Sequence, residues 1–250
     1  MRITVIGPGR AGTAIDEAAR RAGHASRLTR DAADAAGTDA ALLAVPDDAV
    51  ADVAAGVPAG PALGMLSGSV PLAALGPRER RFCLHPMQTI QPGGGPQLRG
   101  CAAGVTASDP ATAELVRQLS RDLGMHPVDV PEAARPLPHI ACVFASNLVL
   151  PALAAAMESL ALAGLDADRA ALLGPLAHRA LDNALADGPA VRPTGPAARG
   201  DAATLAAHRE ALAAADPALE RTYVGLSALL LPLVDEPAAA RAAAALGVPA

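Results

Sequence analysis

The sequence contains no lysine and no tryptophan, and all 20 of its Lys-or-Arg residues are arginine. A guanidinium stays protonated at neutral pH and makes a poor proton donor or acceptor, whereas a buried ammonium can be tuned. Schiff-base chemistry, pyridoxal phosphate anchoring, the phosphate-gripping lysine of a P-loop and lysine general acid catalysis are therefore excluded. Aromatic side chains are almost missing, with one Tyr and two Phe, and the formal net charge is −5. A chain with neither a basic face nor stacking platforms is not expected to bind nucleic acid. The three cysteines (Cys83, Cys101 and Cys142) fall in no metal-ligand spacing. They read as small buried side chains in a reducing compartment, and no metal is expected. Apolar runs are interrupted before they could cross a bilayer: Leu148–Leu165 contains Pro151 and Glu158, and Leu226–Val234 is too short. Met1–Ile6 lacks a signal-peptide pattern, so the cytoplasm is the default expectation.

What is present falls into two halves. The first alternates short apolar runs with helix-like stretches. Arg2–Ile6, Ala25–Thr29, Ala40–Val45, Leu63–Leu66, Arg81–Leu84, Cys101–Thr106 and His126–Val130 read as strands. Thr13–Ala22 reads as a helix, and so does Asp109–Leu123, with Pro110 near its start and Gly124 at its end. Strands alternating with helices imply a mostly parallel sheet. After about Pro131 the strand signal stops. Leu137–Gly164 reads as one long apolar helix kinked at Pro151. Asp166–Asp187 reads as another, ended by Gly188-Pro189, and residues 190–200 as a loop. Asp201 caps a helix to about Ala215, Asp216-Pro217 opens the next, and Pro237 a last short one. The boundaries drawn from this pattern are 1–132 for an α/β dinucleotide-binding domain and 133–250 for an all-helical substrate and dimerisation domain.

Gly7-Pro8-Gly9-Arg10-Ala11-Gly12 is the strongest local signal. It follows a strand and opens a helix, the context that a dinucleotide-binding G-x-G-x-x-G needs. Gly7 permits the tight turn, Gly9 lets a pyrophosphate approach the backbone, and Gly12 lets helix and strand pack closely. An NAD site typically places Asp or Glu at the end of the second strand. Here Thr29 and Arg30 hold that position, and Asp31 comes one or two places late. Arg30 could grip a 2′-phosphate, so NADP(H) is favoured over NAD(H). Arg10 adds charge inside the loop.

The chain resembles the small Rossmann-like reductases of the 6-phosphogluconate dehydrogenase-like superfamily. The closest group has a C-terminal helical domain of unknown function, and some members are ketopantoate reductases. The resemblance rests on VIGPGRAGTA (5–14), LLAVPDDAV (42–50), SGSVPLAALG (67–76), HPMQTI (85–90), HIACVFASNLV (139–149) and TGPAARGDAATLAAH (194–208). It implies a nicotinamide cofactor, an active site between two domains, and a homodimer built through the helical domain. It adds Val45, Pro46 and Ser67 to the cofactor loop. Members often carry a Lys and an Asn one turn apart on the interdomain helix. Asn147 stands at the Asn position, but Val143 stands at the Lys position, so the usual proton donor is missing.

His139, Val143, Ser146 and Asn147 recur at i, i+4, i+7 and i+8, one face of a continuous helix. With no lysine, the proton must come from His139, from His85 or from water; His139 is the first candidate general acid, with Asn147 its neighbour. Leu137-Pro138-His139 and His85-Pro86-Met87 are also similar to prephenate dehydrogenases. His85 and Gln88, at a strand end, are substrate-site candidates with Ser146. Thr194 and Arg199 lie in a constrained Gly/Pro loop, where Arg199 could clamp a carboxylate, while Asp201 reads as the following helix N-cap. His24, His126, His178 and His208 read as surface or satisfied residues. The expectation is an NADP-dependent oxidoreductase acting on CH–OH, reducing a small 2-oxo acid such as ketopantoate. An imine reductase, a prephenate-like dehydrogenase and a non-catalytic NADP-binding or regulatory protein are the alternatives.

Overall fold

A computed structural model describes residues 1–93, 95–165, 167–188 and 192–249. The chain divides into two compact units, Met1–Asn147 and Leu148–Ala250. In the first, β1 (Arg2–Ile6) leads into α1 (Arg10–Arg21). Then come β2 (Ala25–Thr29), β3 (Ala40–Leu43), α2 (Val50–Gly56), β4 (Ala62–Met65), β5 (Arg81–Pro86), β6 (Ala102–Ala107), α3 (Pro110–Asp122), β7 (His126–Asp129) and α4 (Pro136–Ala145). The seven strands form one sheet in the order β2-β1-β3-β4-β5-β6-β7. Every pair is parallel except β5–β6.

Helices cover both faces of the sheet, so β3 and β4 are buried at every position and read as unbroken apolar runs. Ile3, Val5, Phe82, Leu84 and Val105 pack with Ile15 of α1 and Val116 and Leu119 of α3. On the other face, Ile6, Leu43, Leu63, Met65 and Cys83 pack with Val50 and Ala54 of α2 and with Leu72 and Leu75. Gly64 and Phe82 are register partners on β4 and β5. A Cβ at Gly64 would stand 2.2 Å from the Phe82 ring, so the ring fills the space that the glycine leaves. Phe82→Ala would open that volume at a cost of about 3–5 kcal/mol, measurable by denaturant unfolding; a cost under 1 kcal/mol would contradict this packing.

The second unit holds α5 (Val149–Leu162), α6 (Arg169–Asp187), a helical turn α7 (Pro196–Arg199), α8 (Ala202–Ala215), α9 (Pro217–Ala228) and α10 (Glu236–Leu246). No strand occurs among its described residues. Asp168, Asp201, Asp216 and Asp235 each cap a helix by accepting a backbone N–H. Its core is small and centres on Leu205, Leu231, Ala242, Ala243 and Leu246. The last helix is longer than its sequence suggested, and the 190–200 loop contains the α7 turn. Pro189, Ala190 and Val191 lie outside the described residues.

Three expectations need correction. The long helix does not kink at Pro151. It stops at Ala145, where Ser146 leaves helical geometry (φ −127°, ψ −76°), and restarts at Val149. Pro151 thereby falls in the first turn of α5, where its missing N–H has no helical partner to lose. The compact units divide after Asn147. Cys83 and Cys101 are buried as expected, but Cys142 is half-buried. Finally, Glu132–Leu162 taken together is long and apolar enough, by length and composition, to cross a membrane, and none of its apolar window is buried within the chain. Counting from Leu148 missed it, because the apolar sequence begins before the break.

Candidate active site

The glycine loop is built as its spacing requires. Gly7 has φ +115°, and a Cβ there would stand 2.3 Å from the Ala44 carbonyl oxygen. A Cβ at Gly12 would stand 2.0 Å from the Gly7 carbonyl oxygen. Both positions therefore exclude any side chain. In front of Gly9 an added Cβ would meet nothing within 4 Å. Gly9 is also the N-cap of α1, with no side chain capping the helix. The open space and the uncapped amides suit a pyrophosphate at the positive end of the helix. Pro8 and Arg10 are exposed and Ala11 half-buried on this turn. Val45 packs 3.1 Å from the Cβ position of Gly7, and Pro46 starts the turn after β3.

At the end of β2, Thr29 donates its hydroxyl to Asp34 at 2.5 Å and accepts the Asp31 N–H. Asp31 is occupied as a cap, accepting the Ala33 N–H. Asp34 also pairs with Arg27 at 2.7 Å. Arg30 is exposed and forms no ion pair among the described residues. A cation without a partner, beside two engaged carboxylates, fits a 2′-phosphate better than a bare ribose. The residues present thus fit an NADP-type dinucleotide.

β1, β3, β4 and β5 run parallel, so Gly7, Val45, Ser67 and His85 all lie at or just beyond the carboxyl edge of the sheet, where open α/β sheets bind ligands. Ser67 accepts the Ser69 and Val70 N–H groups with its hydroxyl, and Ser69 donates to Asp47 at 2.9 Å. The segment from Ser67 to Leu72 is fastened from the far side of the sequence. Glu132 accepts the Leu72 N–H at 2.7 Å. Arg135, only 4% exposed, donates to the carbonyls of Ser67 at 2.7 Å and of Val70. It also meets Glu132 at 3.4 Å. Sequence reasoning missed Glu132 and Arg135; a charged pair at i, i+3 before a proline-opened helix gave no signal of a partner 65 residues away.

The same attachment brings His139 against His85. Pro136 and Pro138 occupy the first turn of α4, where proline is tolerated, and His139 follows them. The two rings are 5.4 Å apart, centroid to centroid, edge to face at 63°. His85 Nδ1 lies 2.9 Å from the Leu66 carbonyl. A carbonyl only accepts, so this nitrogen carries the hydrogen and Nε2 is the free lone pair of neutral His85. His85 Nε2 and His139 Nδ1 are buried and have no hydrogen-bond partner. Both would lie 2.9 Å from a Cβ placed on Gly68. Gly68, with ordinary backbone geometry, was also missed, because its role is visible only once both rings are in place.

Burial pushes the His85 pKa down. The neighbouring His139 and Arg135 charges push the same way, while the Leu66 carbonyl and Asp47 oppose them. The unfolded chain therefore takes up a proton that the folded site resists. The stability linked to His85 is intact above the ordinary histidine value and is lost as pH falls through it. Cys83, below the same loop, donates its S–H to the Ser67 carbonyl at 3.1 Å. Burial raises its pKa to about 11, so it stays a thiol.

Within the first unit, Ser146, Asn147 and Gln88 are not joined to this pair as a helix face would have joined them. Because α4 ends at Ala145, Ser146 and Asn147 lie beyond the helix. Ser146 donates to the Cys142 carbonyl and to Asn147 Oδ1, and Asn147 is exposed. Gln88 holds its own loop through Gln97 and Thr89. Thr194 and Arg199 belong to the second unit and are exposed there, with the Arg199 carbonyl accepting from Arg241. His24 Nδ1 meets the N-terminal amine at 3.1 Å; its Nε2 lies 3.1 Å from Asp122 but is buried without a hydrogen bond. His208 meets Tyr223 at 2.9 Å. Among the described residues no group of three or more His, Cys, Asp or Glu could hold a metal ion.

Residues 101–229, just over half the chain, match the family model described as Domain of unknown function (DUF2520). The chain belongs to the DUF2520 family. The match carries His139, Arg135 and Glu132, and stops short of the glycine loop. No curated protein matches the sequence. Solved structures share the DUF2520 chain's fold. A protein of Bacteroides fragilis described as an NADP oxidoreductase has 24% identity and a TM-score of 0.78, covering 92% of this chain and 97% of its own. A Thermotoga maritima protein has 18% identity and a TM-score of 0.73 over the same shares. A reductive aminase from Aspergillus terreus, solved with NADPH and ethyl levulinate, has 19% identity and a TM-score of 0.64, covering 92% of each chain. At these identities the likeness establishes a Rossmann-like α/β domain with a mostly parallel sheet followed by a helical domain.

Proposed function

We propose that this DUF2520 protein is a cytoplasmic NADP-dependent reductase of a C=O or C=N bond in a small carboxylate substrate, with ketopantoate as the named candidate. The observation that carries the reading is the pair of unpartnered imidazole nitrogens, His85 on β5 and His139 on α4, beside the sheet that also bears the glycine loop. The pyrophosphate end belongs at α1 and the adenosine ribose at β2, which directs the reactive end along the edge toward β4 and β5. When bound, the dinucleotide supplies the hydride. Gly7, Gly9 and Gly12 admit its backbone, Arg30 neutralises the 2′-phosphate, and Ser67 fixes the loop beyond β4. The His85–His139 pair holds and supplies the proton that lysine supplies elsewhere. A C=N substrate is the second reading. It is favoured by the reductive aminase among the structures of similar fold, and an imidazole pair can protonate nitrogen as readily as oxygen.

Cofactor choice is the first test. NADPH should bind more tightly than NADH, and Arg30→Ala should remove most of the preference. The loss is about 1–3 kcal/mol if the charge-assisted hydrogen bonds form. Fluorescence titration of both cofactors decides it, and equal or reversed affinities would sink the assignment.

We also propose a homodimer through the helical domain. No residue of α4, α5 or α6 is buried within the single chain. Phe144, Leu150, Leu172, Leu176 and Leu185 are all exposed. A second copy would cover these faces, and the membrane-length stretch with them. Light scattering at micromolar concentration should give twice the mass of one chain; a monomer would overturn the proposal.

A further inference from the structure

Two buried ring nitrogens, His85 Nε2 and His139 Nδ1, face the bare side of Gly68 and have no partner. Unpaired buried polar atoms are costly and call for an occupant. Next to this pair, Gly68, His85, Gly104, Thr106, Arg135 and Pro138 line a cavity of about 10 Å³, which His139 itself does not line; it has room for roughly one oxygen-sized atom. We infer that the space between His85, Gly68 and His139 is a subsite for a single oxygen: a water in the free protein, and the reacting oxygen of the substrate in the complex. This rests on the reductase reading, and it assigns different tasks to the two rings.

The assignment follows from hydrogen counting. The Leu66 carbonyl fixes His85 with hydrogen on Nδ1, so neutral His85 offers only a lone pair to the gap. A hydroxyl or water satisfies both rings by donating to His85 Nε2 and accepting from His139 Nδ1–H. A carbonyl oxygen has no hydrogen to give, so it can be held only when His85 Nε2 is itself protonated. Carbonyl binding therefore requires one extra proton on the pair, and it draws that proton onto His85. When a hydride adds to the carbon, the C=O π pair moves to oxygen. The new O–H bond forms as the His85 Nε2–H bond breaks. The alcohol then donates to the lone pair left on His85 and still accepts from His139. The structure thus assigns proton delivery to His85 and oxygen anchoring to His139, the reverse of the assignment that sequence spacing favoured. Arg135 on one side and Asp47 on the other face His85 with opposite charges. Glu132 neutralises part of Arg135, and Cys83 is uncharged at neutral pH.

A crystal structure of the full, ligand-free chain tests the subsite without any substrate. One ordered water within hydrogen-bond distance of both nitrogens is expected; a direct bond between the rings, or an empty gap, overturns the inference. Gly68→Ala places a methyl 2.9 Å from both nitrogens. It should expel the water and lower turnover at least 100-fold while NADPH affinity stays within about twofold. Retained turnover would overturn the subsite. His85→Gln should abolish the rise in rate as pH falls, whereas His139→Gln, still able to donate, should keep that rise at reduced kcat. The opposite pattern would return the proton to His139. A wild type that reduces nothing would count against the reductase reading, and the bridging water would still decide the subsite.

Discussion

Replacing His139 with alanine is expected to lower kcat by about 10²–10⁴-fold while NADPH affinity stays within about twofold. His139 lies on α4, away from the glycine loop and from Arg30, so cofactor binding does not depend on it. Its Nδ1 instead faces the gap beside His85 and Gly68. A donor aimed at developing negative charge in a dry site contributes far more to turnover than to ground-state binding. The residual rate should keep the wild-type pH profile, rising as pH falls below the ordinary histidine value, because His85, whose pKa burial lowers, still carries the proton. Asn147→Ala should leave that profile unchanged as well, since Asn147 is exposed beyond the helix end and bonded to Ser146. Single-turnover and steady-state rates of the three proteins across pH check this. Near-normal turnover in His139→Ala would remove the imidazole pair from the mechanism.

Arg135→Met should be the most destabilising single change at the site, by about 3–5 kcal/mol. That corresponds to a Tm fall of roughly 6–20 °C for a chain of this size. Arg135 is 4% exposed, and its hydrogen bonds end on the Ser67 and Val70 carbonyls, which methionine leaves without a donor. Glu132→Gln should be mild by comparison. An amide oxygen can still accept the Leu72 N–H, and the carboxylate it replaces is 44% exposed. Thermal unfolding of both variants separates the two. Equal effects would mean that the ion pair, rather than the buried carbonyl contacts, holds the loop. The Arg135 variant should also bind NADPH less tightly, since Ser67 lies on the segment it fastens.

The α/β half was legible because each signal in it is local. Strand runs ending in glycine or proline, an Asp-Pro helix start and a G-x-G-x-x-G after a strand are set by neighbours within a few residues. All seven expected strands occur, the first two with the expected edges and the others with edges moved by one or two residues. The glycine loop has the geometry its spacing demands. The helix from Leu137 was misread for the opposite reason. Its apolar, alanine-rich sequence continues through Ser146, where the hydroxyl donates back to the Cys142 carbonyl, and no proline or glycine announces the break. The site was half legible. His85 and His139 were each singled out, on separate motifs, but nothing in the spacing put the two rings together. Gly68, Glu132 and Arg135 gain their meaning from contacts across 60 or more positions, which periodicity cannot register. Asn147 shows the converse, since a face shared at i+8 exists only if the helix continues.

The measurement closest to the central claim is cofactor oxidation by the wild-type protein, with NADPH and NADH in parallel, across 2-oxo acids and cyclic imines over the histidine pH range. Turnover with NADPH in preference to NADH is expected, rising as pH falls and lost in His85→Gln with NADPH binding retained. Tight NADPH binding with no reduction of any carbonyl or imine at any pH would contradict it.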